Sequence, residues 1–231
     1  MFSNGFAPYA AYSTSFLPVP GADFGGTPFV PTTGKQIEAG LKYEPRFVPR
    51  DVHIFATAAV YDLTQQNVLV NDPAHLFFSV QTGEVEVKGV ELEGIARFHE
   101  RLSLNVSYTY TDARDTKDTV AAFQGNQIAA VSPNKFSALA DYTWQDGMFR
   151  GFGLGGGVRY LSSAFGDPAN TLPTGAVTLF DALVHYDWNH WKISLNASNL
   201  FDKIYVQRCS DVTQCFYGSR RTVFLSIGKK W

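Results

Sequence analysis

Two cysteines, Cys209 and Cys215, stand close together in the stretch CSDVTQC. Thiols at this spacing can stay reduced and buried, form half of a metal site, or join in a disulfide. The five residues between them match no common zinc-site spacing, and no histidine lies nearby. We therefore favour a disulfide within a loop, which indicates an oxidising compartment.

Histidines are the other residues that could ligate a metal or act as a general base, and they are scattered along the chain. No pair of histidines has metal-ligand spacing, and neither the GxSxG nor the HExxH motif occurs. The sequence therefore predicts no catalytic residue, no metal site and no bound cofactor. The five histidines are His53, His75, His99, His185 and His190.

Composition narrows the class of protein further. The 231 residues are enough for one large β domain or two small ones, and a net charge of −2 without a basic stripe does not support nucleic-acid binding. No apolar run reaches the roughly 18 residues of a membrane helix. A membrane barrel is compatible with the mean hydropathy of −0.09, because an alternating strand hides its lipid face from any average. The N-terminal stretch MFSNGFAPYA lacks the features of a signal peptide.

The elements that must position these residues are strands. Apolar and polar side chains alternate in residues 101–112, RLSLNVSYTYTD, which predicts a strand with one apolar face and one polar face. The apolar face could pack on a second sheet in a soluble β-sandwich, or it could contact lipid on the outside of a water-filled barrel. Ten strands are predicted, at about 5–15, 35–44, 52–63, 85–98, 101–112, 135–145, 151–162, 178–187, 191–199 and 220–230.

The lengths of strands and connections separate these two possibilities. Globular strands usually have ~5–6 residues and a tilted membrane strand needs ~9–11, whereas the predicted strands cluster at ten to fourteen. The connections alternate long and short throughout, as in an up-and-down barrel with turns at one rim and loops at the other. The long connections are 16–34, 64–84, 113–134, 163–177 and 200–219, and the short ones are 45–51, 99–100, 146–150 and 188–190.

The placement of tryptophans and charges agrees with a membrane barrel. All four tryptophans fall at the rim of the short turns, where an aromatic girdle belongs. Charged side chains fall on the wet faces, where they are ordinary in an aqueous lumen but costly in a dry sandwich core. The tryptophans are Trp144, Trp188, Trp191 and Trp231, and the charged residues are Glu91, Glu93, Arg97, Asp141, Asp181 and Asp187.

Glycines are concentrated in GFGLGGGVRY at 151–160. This run lies within a predicted strand and no helix follows it, so it is not a phosphate-binding loop. Glycines inside a strand indicate sharp curvature or the close approach of another group within the barrel.

Several motifs, in order along the chain, resemble the C-terminal part of TonB-dependent siderophore receptors, in particular the ferric-hydroxamate (ferrichrome-type) group. The resemblance covers nearly the whole chain and is strongest near its end, where NLFDKIY, the cysteine pair, YGSRR and a final aromatic residue follow one another. The earlier matching pieces are PYAAYSTSFLPVPG at 8–21, GKQIEAGLKYEP at 34–45 and GVELEGIARFHERLSLNVSYTYTDA at 89–113.

The resemblance implies an all-β fold: an antiparallel up-and-down transmembrane barrel of about 22 strands closed by an N-terminal plug. Residues 1–231 would supply the last ten strands, without the plug or the TonB box, as a truncated product or fragment with two unpaired edges. The implied activity is uptake of ferric siderophores across the outer membrane of a Gram-negative cell. The implied partners are the ferric siderophore, the TonB system and outer-membrane lipid.

The resemblance also indicates site residues. By matching position, Phe216 and Tyr217 are candidates for ligand contact, although they could instead pack the base of the last loop against its neighbour. Asp202 and Lys203 could form an ion pair at the entry to this loop, or serve as a turn signal followed by a solvated charge.

Two other functions compete with receptor-mediated transport. A passive outer-membrane channel or structural barrel would need this chain to close a barrel alone and would need no energy-coupling partner. An outer-membrane lipid hydrolase would need a serine–histidine pair on the lipid side. His99 and His190 are predicted in turns at the wrong rim, and His185 is predicted to point into the lumen.

Overall fold

The protein is described from a computed structural model, which covers residues 2–211 and 213–229. Ten antiparallel strands form one sheet in the order β1-β2-β3-β4-β5-β6-β7-β10-β11-β14, so all ten predicted strands are present. The strands are β1 Phe6–Leu17, β2 Thr32–Tyr43, β3 Val52–Asn71, β4 Ser79–Phe98, β5 Leu102–Lys117, β6 Asn134–Thr143, β7 Phe152–Leu161, β8 Ala164–Phe165, β9 Pro173–Thr174, β10 Val177–Trp188, β11 Trp191–Ser198, β12 Val206–Asp211, β13 Gln214–Tyr217 and β14 Thr222–Lys229.

The register divides the sheet into two chemically different faces. Leu104 of β5 lies opposite Ala96 of β4 and Ala140 of β6, and this alternation continues across the sheet. We call the face that carries Leu104 the apolar face, and the opposite one the polar face. The charged residues predicted on wet faces all share the polar face, as the strand pairings require.

The apolar face is not covered by a second layer within the described residues. Leu195 of β11, on this face, is 46 % exposed, and none of the large side chains that the structure describes is fully buried. A sandwich core is therefore ruled out for these strands, since an apolar face of this extent needs another apolar phase. Among the residues whose burial is described, few apolar ones are buried: Ala59, Val70, Val85, Ala113, Ala164, Val177 and Leu179.

The prediction of a long loop at 64–84 is wrong. β3 and β4 run on as a 20-residue pair, and residues 72–78 alone connect them. Polar contacts across strands accompany this extension: the Gln66 amide of β3 donates to the Glu84 carboxylate of β4 at 3.2 Å, and Lys117 of β5 lies 2.8 Å from Glu84. The apolar face becomes charged there, which marks the end of its apolar band.

The short connections lie together at one end of the sheet, as predicted. Aromatic side chains gather there on the apolar face. Trp144 stacks edge-on with Tyr142 at 4.9 Å and tilts against Phe152 at 5.7 Å, and Trp188 pairs with Trp191 across the β10–β11 turn. The predicted aromatic girdle is confirmed for these tryptophans, whereas Trp231 lies outside the described residues.

The long connections lie at the opposite end and contain structure of their own. β8 pairs with β9 and β12 pairs with β13, each as a small separate sheet. The side-chain amide of Asn170 donates to the carbonyl of Gln127 at 2.9 Å, which ties two loops together. In the described residues the one helical turn, Ala121–Phe123, is far too short to span a membrane.

Rings lie over glycines on the polar face. The ring of Tyr61 in β3 occupies the space above Gly89 in β4, and its hydroxyl reaches to 3.3 Å from the hydroxyl of Thr111 in β5. The ring of His185 in β10 likewise covers Gly153 in β7. The close approach predicted for the glycine-rich strand is therefore confirmed, and the approaching group is a neighbouring side chain.

Candidate functional site: the base and tip of the last long loop

Asn199 organises the base of the last long loop, which follows β11. It adopts a left-handed backbone with φ 51°, is almost fully buried, and accepts a hydrogen bond from the Lys203 N–H at 2.8 Å. Its side-chain amide donates to the carbonyls of Lys203 and Ser219, at 2.9 and 3.0 Å. Asparagine tolerates the left-handed region and mimics a backbone turn, so one side chain joins both ends of the loop.

Asp202 holds the returning end of the loop. It accepts hydrogen bonds from the Arg220 guanidinium Nε at 2.8 Å and from the Arg221 backbone N–H at 2.9 Å. The Arg220 guanidinium, followed by that N–H, holds the pKa of the Asp202 carboxyl far below its usual range. The predicted alternative of an Asp202–Lys203 ion pair is wrong, because arginine offers a planar fork that matches a carboxylate.

The base of the loop is also joined to the sheet. Asp181 of β10 receives two hydrogen bonds from Arg159 of β7, at 2.6 and 2.8 Å. The same carboxylate accepts the Asn199 backbone N–H at 2.9 Å. The position of the loop is therefore set by a charged pair on the polar face, and sequence reasoning identified only its polar location.

Cys209 and Cys215 form a disulfide between β12 and β13, so the predicted loop disulfide is present. Gly166 of the neighbouring loop lies directly against the backbone of Cys209. Any larger residue at position 166 would clash with this backbone, and the contact therefore positions the hairpin beside β8 and β9.

Phe216 and Tyr217 lie at the accessible part of this hairpin. Phe216 is 41 % exposed and Tyr217 is 67 % exposed, so neither is packed into the loop base. The guanidinium of Arg208 lies 4.9 Å from the Phe216 ring centroid, which is a cation–π distance. Arg208 was missed by sequence reasoning because its partner stands across an irregular hairpin register.

The arrangement at the hairpin favours recognition over catalysis. A flat ring, a phenol hydroxyl and a guanidinium can bind a polar organic ligand by stacking, hydrogen bonding and charge. The histidines lie elsewhere: His75 contacts Asp72, His99 contacts Asp51 and His185 contacts Asp141. Among residues 2–211 and 213–229, no three histidine, cysteine, aspartate or glutamate side chains are grouped to hold a metal ion.

Comparison with known proteins decides the family. A family model described as "TonB dependent receptor-like, beta-barrel" matches residues 1–200. The chain belongs to the TonB-dependent receptor β-barrel family. The ten-stranded sheet is therefore a portion of an outer-membrane receptor barrel, and the resemblance seen in the motifs is confirmed.

Relatives within this family cover nearly the whole chain. It is 43 % identical over 228 residues to the ferrichrome outer membrane transporter/phage receptor of Escherichia coli K12, covering 96 % of this chain and 30 % of that protein. It is 38 % identical over 233 residues to the ferrioxamine B receptor of Salmonella typhimurium, covering 98 % and 32 %. The chain thus spans about a third of the length of these curated relatives.

The fold is shared with solved receptor structures. The crystal structure of BauA, the ferric preacinetobactin receptor from Acinetobacter baumannii, superposes with a TM-score of 0.77 at 24 % identity. The match covers 97 % of this chain and 34 % of BauA. At this identity the likeness establishes the architecture of the barrel wall alone.

Proposed function

We propose that this chain is the C-terminal part of the barrel wall of a receptor that takes up ferric siderophores across the outer membrane, driven by the TonB system. The plug domain and the remaining strands lie outside residues 1–231 in this proposal. The apolar face contacts membrane lipid and the polar face lines the lumen, so we call it the lumenal face from here on. The ferrichrome and ferrioxamine B receptors among the relatives support a hydroxamate-type ligand.

One observation favours transport through a filled barrel over a passive channel: the lumenal face carries large apolar side chains. Phe55, Ile95 and Leu139 lie in register on β3, β4 and β6, with Asn105 between the last two. Leu183 of β10 lies on the same face. Apolar side chains are poorly suited to line an aqueous pore, but they can pack against a folded domain inside the barrel.

The experiment expresses the complete gene that encodes this segment in cells lacking their own hydroxamate receptors. We expect uptake of radioactive iron supplied as ferrichrome or ferrioxamine B, and we expect this uptake to stop when the tonB gene is deleted. A purified protein that conducts ions steadily in planar bilayers, with no TonB-dependent uptake, would instead establish the passive channel.

In this proposal the loop hairpin contributes to ligand capture through Phe216 and Tyr217, with Arg208 beside them. An exposed aromatic–cation pair fits the hydrophobic and polar groups of an organic iron chelate. We expect Phe216→Ala to reduce ligand affinity about tenfold, which corresponds to the loss of one stacked contact. Phe149→Ala, an exposed aromatic at the opposite rim, is the control and should leave affinity unchanged.

A further inference from the structure

A cavity of about 930 Å³ opens at the rim of the short turns, on the lumenal face. It lies at the end of the sheet opposite the β12–β13 hairpin. Three turns border it: 45–51 before β3, 99–101 between β4 and β5, and 144–151 between β6 and β7. Its lining includes Arg50, His53, Arg97, Glu100, Arg101 and Gln145.

Hydrogen bonds between these turns give the cavity a fixed frame. His99 donates its backbone N–H to the Asp51 carbonyl at 2.8 Å, and its Nε2 lies 3.0 Å from the Asp51 carboxylate. The side-chain amide of Gln145 donates to the Glu100 carbonyl at 2.9 Å. Arg101 pairs with Asp146 at 2.6 Å. The carboxylates of Asp51 and Asp146 are therefore used to connect the turns.

The middle turn holds backbone strain. His99 and Glu100 both have φ 52°, although neither is glycine or asparagine. A left-handed backbone conformation costs free energy for a residue that has a side chain, and it persists where surrounding contacts enforce it. Here Asp51 and Gln145 supply those contacts from the two neighbouring turns. The rim is thus built in one conformation at a local cost in stability.

Three basic residues that line the cavity, Arg50, His53 and Arg97, lack a counter-charge in contact with them among the described residues. His53 of β3 and Arg97 of β4 are directly opposite each other in register. Within the described part of the chain, His53, Arg97 and Arg50 form no ion pair, and Glu100 is the remaining unpaired carboxylate in the lining. Basic groups opposite each other disfavour the sheet pairing when both are charged. The unpaired charged groups of the lining are thus two arginines, Arg50 and Arg97, and one carboxylate, Glu100, which leaves an excess of one positive charge facing the lumen.

We propose that this rim cavity binds an acidic segment of the domain that fills the lumen, with an aspartate or glutamate side chain seated on Arg97. A guanidinium presents two parallel donors to a carboxylate, and a lumenal site partly shielded from water strengthens the pair. An occupant from inside the barrel fits the location, because the cavity opens on the lumenal face. This inference rests on the proposed function, since it requires a lumenal domain.

The experiment uses the complete polypeptide encoded with this segment, in outer-membrane vesicles. We measure the rate at which a protease cleaves the lumenal domain. Arg97→Glu should raise this rate at least about tenfold, because an unpaired carboxylate would face another carboxylate. Arg97→Lys should raise it less, since the charge remains but the planar fork is lost. Heat-modifiable migration in gels verifies that each variant barrel is folded.

Arg150→Glu is the matched control, because Arg150 lies in one of the same turns and does not line the cavity. It should leave the cleavage rate unchanged. An equal acceleration by Arg150→Glu, or no acceleration by Arg97→Glu, would overturn the proposed docking site. TonB-dependent iron uptake by the unaltered receptor is measured in parallel. Normal uptake with a cleavage rate insensitive to Arg97 refutes the docking site while the transport function stands.

Discussion

Two glycines of β4 show how differently the two faces of this sheet are built. Gly89 lies on the lumenal face beneath the Tyr61 ring, so a Cβ atom there would collide with the ring and with the Tyr110 carbonyl. Gly94 lies on the apolar face, and a Cβ atom there would meet nothing within 4 Å. Side chains on the lumenal face have specific partners, whereas those on the apolar face need only an apolar surrounding phase.

The largest expected effect concerns the two ends of the strands, which must lie in different compartments if the apolar face meets lipid. In the complete receptor in intact cells, a single cysteine at Asn126, in a long loop, should react with an impermeant thiol reagent. A single cysteine at Gly147, in a short turn, should not react until the membrane is opened. Labelling of intact cells at position 147 alone would invert the orientation.

A lysine introduced on the apolar face should lower the free energy of unfolding more than a lysine on the lumenal face. Val106→Lys puts an ammonium at the middle of the apolar band and should lower the free energy of unfolding in lipid by ~2–4 kcal/mol. Thr109→Lys, at a lumenal position opposite Glu91 and Lys135, should change it by less than ~1 kcal/mol. Urea titration of the receptor in vesicles measures both, and equal losses would show that the faces do not differ.

The glycine pair itself gives a smaller effect. Gly89→Ala should destabilise the receptor by ~1–3 kcal/mol, because the Tyr61 ring must leave its place. Gly94→Ala should lie within ~0.5 kcal/mol of the parent protein. The double variant Gly89→Ala/Tyr61→Ala should lose less than the sum of the single changes, since the collision with the ring is gone and only that with the Tyr110 carbonyl remains. Additive losses in the same urea titration would contradict this steric explanation.

The smallest effect is expected at the exposed Asp202–Arg220 pair. The pKa of Asp202 is lowered in the folded loop, so the pair stabilises the loop above the ordinary pKa of an aspartate. This contribution is lost as the pH falls below about 4 toward the folded-state value. Protease cleavage within 203–219 should therefore accelerate in acid, and Asp202→Asn should remove this pH dependence. An unchanged pH profile in Asp202→Asn would exclude the pair as its cause.

The alternation of apolar and polar residues identified the strands, because successive side chains of a strand point to opposite faces and each face has its own surroundings. Leu102 to Tyr110 alternate without error, and β5 was predicted within a few residues at its start. The continuation of β3 over 64–71 and of β4 over 79–84 was missed, because glutamines, asparagines and a glycine interrupt the apolar alternation there and resemble a loop in composition. Glu84 contacts Gln66 of β3 and Lys117 of β5 in this continuation, and such contacts depend on register.

The site was predictable only in part. The cysteine spacing and the motifs of the last loop led to the disulfide and to Phe216 and Tyr217, whose ligand role remains a prediction. The partners of these motifs were not visible: Asp202 pairs with Arg220, and Asn199 is tied to Asp181 of a neighbouring strand. These contacts join residues that are distant in sequence, and no local pattern encodes them.

By itself the sequence determined the strands, their two faces and the sorting of turns from loops, because periodicity and turn chemistry act over a few neighbouring residues. The tertiary structure decided which side chains meet across strands: Tyr61 over Gly89, Arg208 beside Phe216, and Arg97 beside the fixed frame of the rim. Register and sheet curvature determine these side-chain contacts, and both depend on the whole set of paired strands at once.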